Sequence, residues 1–154
     1  MKKQPSSRMC FLCGLQNPVG LKLDFYEDSE AEQVRVEFTV ADEYQGYPGV
    51  VHGGIVAAVL DETAGRAVML GGSDEDLFAT LRLTVRYRRP TPTNTPLTAV
   101  GWVERMGGVG ARVAGEIRLP DGTVTAECEA TVAEVPEEFR VGWEAEKPYW
   151  KVYE

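Results

Sequence analysis

The chain has little basic charge, which excludes whole classes of partner. Its 16 lysines and arginines are outnumbered by 24 aspartates and glutamates, so the formal net charge is -8 at pH 7. A protein of this charge is repelled by the phosphates of nucleic acids and by an anionic membrane surface. We therefore expect neither partner, and a negatively charged ligand could be attracted only by a local cluster of arginines.

Long hydrophobic runs and cysteines are scarce as well. The sequence holds no apolar run of about 18 residues and no charged-then-apolar N-terminus, so no transmembrane or signal segment is expected. Its three cysteines are an odd number, which does not predict a disulfide framework. Together these absences indicate a cytoplasmic protein.

Length and composition are those of one globular domain. At 154 residues the chain can bury a core, and its hydrophobic share of 44% and charged share of 26% are ordinary. We expect a single domain over residues 1–154, with a cysteine-containing cap at 1–20 whose first seven residues are frayed. The tail at 136–154 has too many aromatic residues for a disordered segment. It either lies across the sheet or reaches a neighbouring subunit.

Residues 47–70 form the one long segment with helical spacing, and they contain no proline after Pro48. The helix is predicted to begin near Gly54, because the prolines and glycines before it favour loops. It should end at Gly71 and Gly72, which suit the left-handed conformation that closes a helix. Apolar residues cover most of its circumference, which predicts that a sheet wraps around it.

Asp61 lies midway along the predicted helix in a trough of small residues. The neighbours three and four positions away are Ala57, Ala58, Ala64 and Gly65. Such a trough admits a second helix or a ligand, so we interpret the Asp61 carboxylate as functional. Glu62 is interpreted differently: with Arg66 four residues later, it predicts an ordinary ion pair on a solvated face.

Gly53 and Gly54 lie at the start of this helix, where backbone N–H groups have no intrahelical partner. Without side chains they let a ligand oxygen approach the positive end of the helix dipole, which is the geometry of an oxyanion hole. At ~1.5 Å rise per residue, Gly54 and Asp61 are roughly 10 Å apart, too far to act on one carbonyl carbon. Both reach one substrate if two copies of the helix run antiparallel about a two-fold axis, so we expect at least a homodimer.

Six shorter segments alternate apolar and polar residues with a period of two, which predicts strands. They cover residues 21–26, 33–40, 78–88, 97–106, 109–119 and 124–132. A long apolar helix together with six short antiparallel strands predicts an α+β fold with a curved sheet around the helix.

A His-Gly-Gly loop that runs straight into a long apolar helix, with an Asp seven residues after the second glycine, resembles a known family. It is similar to the hotdog-fold acyl-CoA thioesterases of the phenylacetate-pathway and 4-hydroxybenzoyl-CoA thioesterase types. The resemblance covers about residues 21–135. It implies a hotdog fold, an acyl-CoA substrate, a homodimer or homotetramer, and no cofactor or metal.

The resemblance also implies roles for individual residues. His52 would fix the loop and position the substrate. Gly53 would donate the N–H of the oxyanion hole with Gly54 beside it, and Asp61 would act as general base or nucleophile. Thr80 lies near the position where related thioesterases present a hydroxyl to the substrate or to the attacking water.

Candidate substrate-binding residues lie outside the helix. The strand at 78–88 has an apolar face, which we expect to be buried and which consists of Leu81, Leu83, Val85 and Tyr87. Its other face is strongly basic, which suits the phosphates of CoA because guanidinium groups bind phosphate in a bidentate way. The arginines on it and just after it are Arg82, Arg86, Arg88 and Arg89. The alternative is an outer sheet face on which arginines pair with carboxylates of neighbouring strands. Tyr44 and Tyr47 either wall one side of a pocket or only pack the loop before the helix.

Cys10 and Cys13 have the spacing of half a zinc site, but no second Cys/His pair follows. The favoured interpretation is two small apolar residues packed in an N-terminal cap, with metal or redox use as the alternative. Cys128 lies in an alternating run and is interpreted as a buried hydrophobic residue.

Hydrolysis of an acyl-CoA thioester is the leading function. One alternative is a hotdog hydratase or dehydratase that uses His52 and a carboxylate as acid and base. A second is a non-catalytic acyl-CoA binding module, and a third is a zinc-containing structural protein built on Cys10 and Cys13.

Overall fold

The computed structural model describes residues 1–74 and 77–154, and its centre is one helix. Helix α1 spans Gly53–Gly65, close to the predicted start, and continues as a 3-10 turn over Arg66–Met69. Gly71 follows with a φ of 65°, the left-handed conformation predicted there. A short helix α2 spans Trp143–Glu146. Within the described ranges, no helix is long and apolar enough to span a membrane.

Seven antiparallel strands form one sheet in the described part of the chain. They are β1 Lys2–Lys3, β2 Tyr26–Asp28, β3 Gln33–Phe38, β4 Phe78–Tyr87, β5 Leu97–Gly107, β6 Gly110–Arg118 and β7 Val124–Glu134. Their order is β1-β2-β3-β5-β6-β7-β4, and α1 packs against every strand from β3 to β4 in that order. A sheet that contacts one helix through so many strands curves around it. This is the hotdog fold, as predicted, with the additional short strand β1.

Two glycines bring α1 close to the sheet. A Cβ atom on Gly101 of β5 would lie 2.4 Å from the carbonyl oxygen of Thr63, so no other residue fits there. On β6, a Cβ atom on Gly115 would lie 3.5 Å from the Cβ atom of Ala64. Thr63 and Ala64 are fully buried at this contact. The close approach fixes which side of α1 faces the sheet, and therefore which side carries Asp61.

The first predicted strand, at residues 21–26, is wrong over most of its length. Strand β2 begins only at Tyr26, and Lys22 has a φ of 52°, which is incompatible with an extended strand. The backbone bonds to the cap instead, because Leu23 N–H donates to the Leu12 carbonyl oxygen at 2.7 Å. The alternation of apolar residues in this segment arises because Leu23 and Phe25 are buried, and not because the segment pairs with a strand.

The two ends of the chain pack against each other. Gln4 and Ser6 are buried, so the expectation of a frayed start is wrong. The Ser6 N–H donates to the carbonyl oxygen of Lys151 at 2.9 Å, and Arg8 Nη2 lies 2.8 Å from Glu146 Oε2. The aromatic tail therefore lies on the N-terminal segment of its own chain.

Candidate active site

Asp61 and Thr80, both predicted as site residues, meet in the folded chain. Thr80 Oγ1 donates a hydrogen bond to Asp61 Oδ1 at 2.6 Å. Thr80 pairs with buried Val132 of β7, and paired residues share a face, so its hydroxyl is on the helix side of the sheet. Immediately afterwards the β4 register shifts, which leaves Leu81 unpaired and 70% exposed. The strict alternation predicted for this strand, with Leu81 buried, is therefore wrong.

Asp61 and Thr80 line a cavity of about 340 Å³. Its apolar walls are formed by Val68, Met69, Leu77, Phe78, Val132 and Trp150. Trp150 comes from the C-terminal tail, and its indole N–H donates to the carbonyl oxygen of Asp74 at 2.6 Å. The ion pair of Glu62 and Arg66 also lines the cavity. A partly apolar cavity with a carboxylate and a hydroxyl in its wall suits a ligand with a hydrocarbon body and one reactive polar group. The sequence did not predict Trp150 as a residue of this cavity, because no local pattern places the tail beside α1.

The ion pair between Glu62 and Arg66 is present but is not on a solvated face, so that prediction is wrong. Glu62 Oε1 lies 2.7 Å from Arg66 Nε, and the Arg66 side chain is only 4% exposed. Its guanidinium lies 4.3 Å from the ring centroid of Phe25 and 5.3 Å from that of Trp150. It also donates from Nη1 to the carbonyl oxygen of Pro5 at 2.9 Å. Arg66 therefore joins both chain ends to the end of α1.

His52 caps the N-terminus of α1. Its Nδ1 accepts the Gly54 N–H at 2.9 Å, and its own backbone N–H donates to the Tyr44 carbonyl oxygen at 2.9 Å. Since Nδ1 is an acceptor, the neutral ring carries its proton on Nε2. The Gly54 N–H is thus used within the chain. In the described residues the Gly53 N–H has no acceptor, which leaves it available to a ligand.

Tyr87 holds the same loop from the sheet side. Its hydroxyl donates to the carbonyl oxygen of Gly53 at 2.6 Å. A Cβ atom on Gly53 would lie 3.5 Å from that hydroxyl, so the tyrosine lies directly against the glycine. The strand pattern predicted Tyr87 as a buried sheet residue, whereas the structure exposes it and makes it a contact of the His-Gly-Gly loop.

The structure brings Asp61 to Thr80 but not to Gly53. Gly53 and Asp61 are eight residues apart on α1, which corresponds to roughly 12 Å along the helix axis. One chain therefore holds the two candidate groups apart, with a backbone donor at the start of α1 and a carboxylate with its hydroxyl partner at the middle.

The loop before α1 is held by Tyr44. Its ring makes an edge contact with that of Phe11, with 6.3 Å between the centroids, and its hydroxyl donates to the carbonyl oxygen of Val19 at 2.7 Å. Tyr44 thus packs the loop against the cap, which is one of the two readings that the sequence allowed. Tyr47 is 83% exposed, and its contact with substrate stays a prediction.

Arg86 and Arg88, two of the arginines predicted to bind phosphate, lie on the outer face of the sheet. Arg88 Nη2 is 2.8 Å and Arg86 Nη1 is 3.9 Å from Glu127 Oε1. The hydrogen bond from Arg88 lowers the pKa of Glu127. Glu127 precedes Cys128, which is buried against α1, so the glutamate points the other way. Cross-strand ion pairs therefore occupy Arg86 and Arg88, and phosphate binding by them and by Arg89 stays a prediction.

These features define a hotdog protein whose central helix has an available backbone donor at its start and, at its middle, a carboxylate bonded to a hydroxyl of β4. The family model of the thioesterase superfamily matches residues 48–126, about half of the chain, and the chain belongs to this superfamily. The match includes the His-Gly-Gly loop, Asp61 and Thr80, and it excludes the cap and the tail.

Individual proteins show the same likeness. The chain is 24% identical over 107 residues to acyl-coenzyme A thioesterase THEM4 of Rattus norvegicus, over 70% of this chain and 45% of the relative. The crystal structure of RHA08564, a thioesterase superfamily protein, has a TM-score of 0.73 at 35% identity, covering 80% of this chain and 62% of that one. A Bacillus halodurans protein solved with CoA has a TM-score of 0.67 at 22% identity, covering 77% and 78%, and shares the fold. The chain thus spans about half the length of the curated relative.

Proposed function

We propose that this chain hydrolyses an acyl-CoA thioester to a free acid and CoA, in the cytoplasm, at a site shared by two copies of the chain. The observation that carries the proposal is the hydrogen bond between Thr80 and Asp61 in the wall of a partly apolar cavity. Membership of the thioesterase superfamily supports it, as do the name of the curated relative and the CoA bound to a protein of the same fold.

The chemistry requires a hydrogen-bond donor at the thioester oxygen and a base or nucleophile close to the carbonyl carbon of the same thioester. The Gly53 N–H would donate to the thioester oxygen and stabilise the negative charge that develops on it. Asp61 would take a proton from an attacking water, or attack the carbon directly. With Asp61 as base, water adds to the carbonyl carbon, the C–S bond breaks, and the CoA sulfur leaves with the proton that Asp61 took from the water. With Asp61 as nucleophile, the C–S bond breaks as an acyl–Asp61 anhydride forms, the CoA thiolate takes a proton from solvent, and water then hydrolyses the anhydride to the free acid and the carboxylate. Thr80 donates to one Asp61 oxygen and so directs the other carboxylate oxygen toward the reacting water.

Pairing of two α1 helices would complete the site. An antiparallel arrangement brings the Gly53 N–H of each copy to Asp61 of the other. The surface suits such a contact, because β4 is at the edge of the sheet and carries exposed Leu81 and Tyr87. A Cβ atom on Gly65 would meet nothing within 4 Å, so this part of α1 is open to close approach. A dimer, alone or within a tetramer, is therefore part of the proposal.

The acyl group and the CoA group would bind in different places. The cavity next to Asp61, with Leu77, Phe78 and Trp150 in its wall, suits the acyl chain. Arg86 and Arg88 would meet the CoA phosphates only by leaving or sharing Glu127, and Arg89 would bind beside them. An acidic chain would then bind CoA through local arginines rather than through its net charge.

The test is release of free CoA thiol from a panel of straight-chain, branched and aryl acyl-CoA esters. The parent should hydrolyse at least one class, and Asp61→Asn should lose roughly 100- to 10,000-fold in kcat, the range for removal of a general base. Asp28→Asn, the same change on β2, serves as the matched control and should retain the parental rate. Light scattering should give the same dimeric or tetrameric mass for all three proteins.

Three results would contradict the proposal. One is an Asp61→Asn variant as fast as the parent, and another is a monomeric parent that turns over. The third is a parent that binds acyl-CoA without thiol release, which indicates a binding module, or that hydrates crotonyl-CoA, which indicates a hydratase.

A further inference from the structure

We propose that Cys10, Cys13 and Glu62 bind a zinc ion that fastens the N-terminal cap to helix α1. One donor atom from each of the three side chains lies within 4.8 Å of the other two. The two sulfurs come from the cap, and Glu62 comes from α1, directly after Asp61. The sequence showed only the cysteine pair, because the third donor is 49 residues further along and is placed there by the fold.

The backbone around the cysteines is arranged as for a thiolate ligand. The Leu12 N–H donates to Cys10 Sγ at 3.3 Å, and hydrogen bonds of this kind stabilise sulfur ligands. The turn is closed by the Gly14 N–H, which donates to the Cys10 carbonyl oxygen at 2.8 Å. A Cβ atom on Gly14 would lie 2.4 Å from that oxygen, so only glycine allows this turn. Ser7 Oγ lies 3.5 Å from Cys13 Sγ and adds a second contact to sulfur.

The charge around the three donors suits a divalent ion. Two thiolates and one carboxylate would give a zinc complex with one net negative charge. The guanidinium of Arg66, buried and 2.7 Å from Glu62 Oε1, offsets that charge. Arg66 bonds to one oxygen of Glu62 only, and a carboxylate has lone pairs enough to bind the ion as well.

The donor set selects zinc among common ions. Thiolate sulfur favours zinc, whereas magnesium and calcium prefer oxygen ligands. At Zn–S of about 2.3 Å and Zn–O of about 2.0 Å, tetrahedral ligand atoms lie roughly 3.5 Å apart, so the three side chains need only small adjustments. Three protein ligands leave the fourth position for water.

The experiment uses the full chain purified under reducing conditions, stripped with a chelator and titrated with Zn²⁺ or Co²⁺. We expect one ion per chain and a cobalt spectrum with thiolate-to-metal charge transfer and the intense visible bands of tetrahedral Co²⁺. Cys10→Ser and Cys13→Ser should abolish the charge-transfer band, and Glu62→Gln should weaken the affinity at least tenfold. Zinc should also raise the Tm of the parent and not of the cysteine variants.

Cys128→Ser is the matched control and should bind metal as the parent does. Cys128 lies under α1 with its sulfur 3.8 Å from the Leu60 carbonyl oxygen, and burial raises its pKa to about 12. Cys13 is buried, so a misfolded Cys13→Ser variant would carry no information. The test then rests on Cys10→Ser and Glu62→Gln, because both of these side chains are partly exposed. A reduced parent that takes up no metal, or a cobalt spectrum unchanged in Cys10→Ser, would overturn the proposal. An unchanged affinity in Glu62→Gln would overturn the assignment of the third ligand.

Discussion

Tyr87 and His52 hold one peptide group from its two sides. The Tyr87 hydroxyl donates to the Gly53 carbonyl oxygen at 2.6 Å, and His52 Nδ1 accepts the Gly54 N–H of the same peptide at 2.9 Å. Both polar atoms of that peptide are satisfied. The peptide before it, which carries the available Gly53 N–H, is thereby fixed in direction, as a preorganised oxyanion donor must be.

Removing the Tyr87 hydroxyl should therefore slow hydrolysis, although Tyr87 itself does not contact the reacting carbon. We expect Tyr87→Phe to lower kcat by about fivefold, since one hydrogen bond is worth roughly 1 kcal/mol. Steady-state thiol release measures the rate, and amide hydrogen exchange of residues 49–54 measures the order of the loop. Tyr153→Phe removes a similar hydroxyl-to-carbonyl bond in the tail and should leave both unchanged. Equal loop protection in Tyr87→Phe and the parent would argue against the positioning role.

Thr80 should contribute through its hydroxyl alone. Thr80→Val keeps the side-chain shape but removes the donor 2.6 Å from Asp61 Oδ1, so we expect kcat to fall about tenfold with little change in KM. Thr80→Ser retains the hydroxyl and should recover most of the rate. If the valine and serine variants have equal kcat, the hydrogen bond does not direct the carboxylate.

A shared active site predicts complementation between two inactive variants. Asp61→Asn removes the carboxylate, and Gly53→Pro removes the N–H at a helix position where proline is tolerated. A mixed dimer holds one intact site, formed by Gly53 of the first variant and Asp61 of the second. After statistical exchange of subunits, about a quarter of the parental activity should return. Mixing each variant with itself is the control, and no recovery after verified exchange would mean that each chain works alone.

Trp150 should limit the size of the acyl group. Because its indole forms part of the cavity wall, Trp150→Ala is expected to raise the ratio of kcat/KM for bulky over small acyl-CoA esters by about tenfold. Phe139→Ala changes an exposed aromatic residue of the same tail and should leave the ratio unchanged. A uniform loss across all esters in Trp150→Ala would indicate a structural effect and not a specificity effect.

Arg66 should matter for stability. Arg66→Met leaves the Glu62 carboxylate and the Pro5 carbonyl without their donor, so we expect a loss of about 1–3 kcal/mol in the free energy of unfolding. Urea denaturation followed by fluorescence measures it. Arg35→Met breaks a more exposed pair with Glu37 and should change stability by less than about 0.5 kcal/mol. Equal midpoints for the two variants would contradict the structural role of Arg66.

Local sequence signals placed the candidate groups along α1 but did not predict what surrounds them. The glycines before α1, its apolar circumference and the small residues around Asp61 are all within one helix, where spacing alone decides which side chains are neighbours. Other contacts were not predicted because each joins residues far apart in the chain: Trp150 in the cavity wall, Tyr87 at the His-Gly-Gly loop, and Glu62 beside the cysteine pair. Leu81 was assigned to the wrong environment because a single register shift in β4 exchanges the faces of a strand.

The order of residues was enough to predict the central helix and the position of the carboxylate along it, since helical geometry converts spacing directly into direction and distance. It also determined the class of sheet, through period-two alternation. Folding of the whole chain was needed to bring Thr80 to Asp61, to pack the two chain ends around Arg66 and to place a glutamate beside the cysteine pair. Those contacts follow from strand order and close packing, which no local pattern encodes.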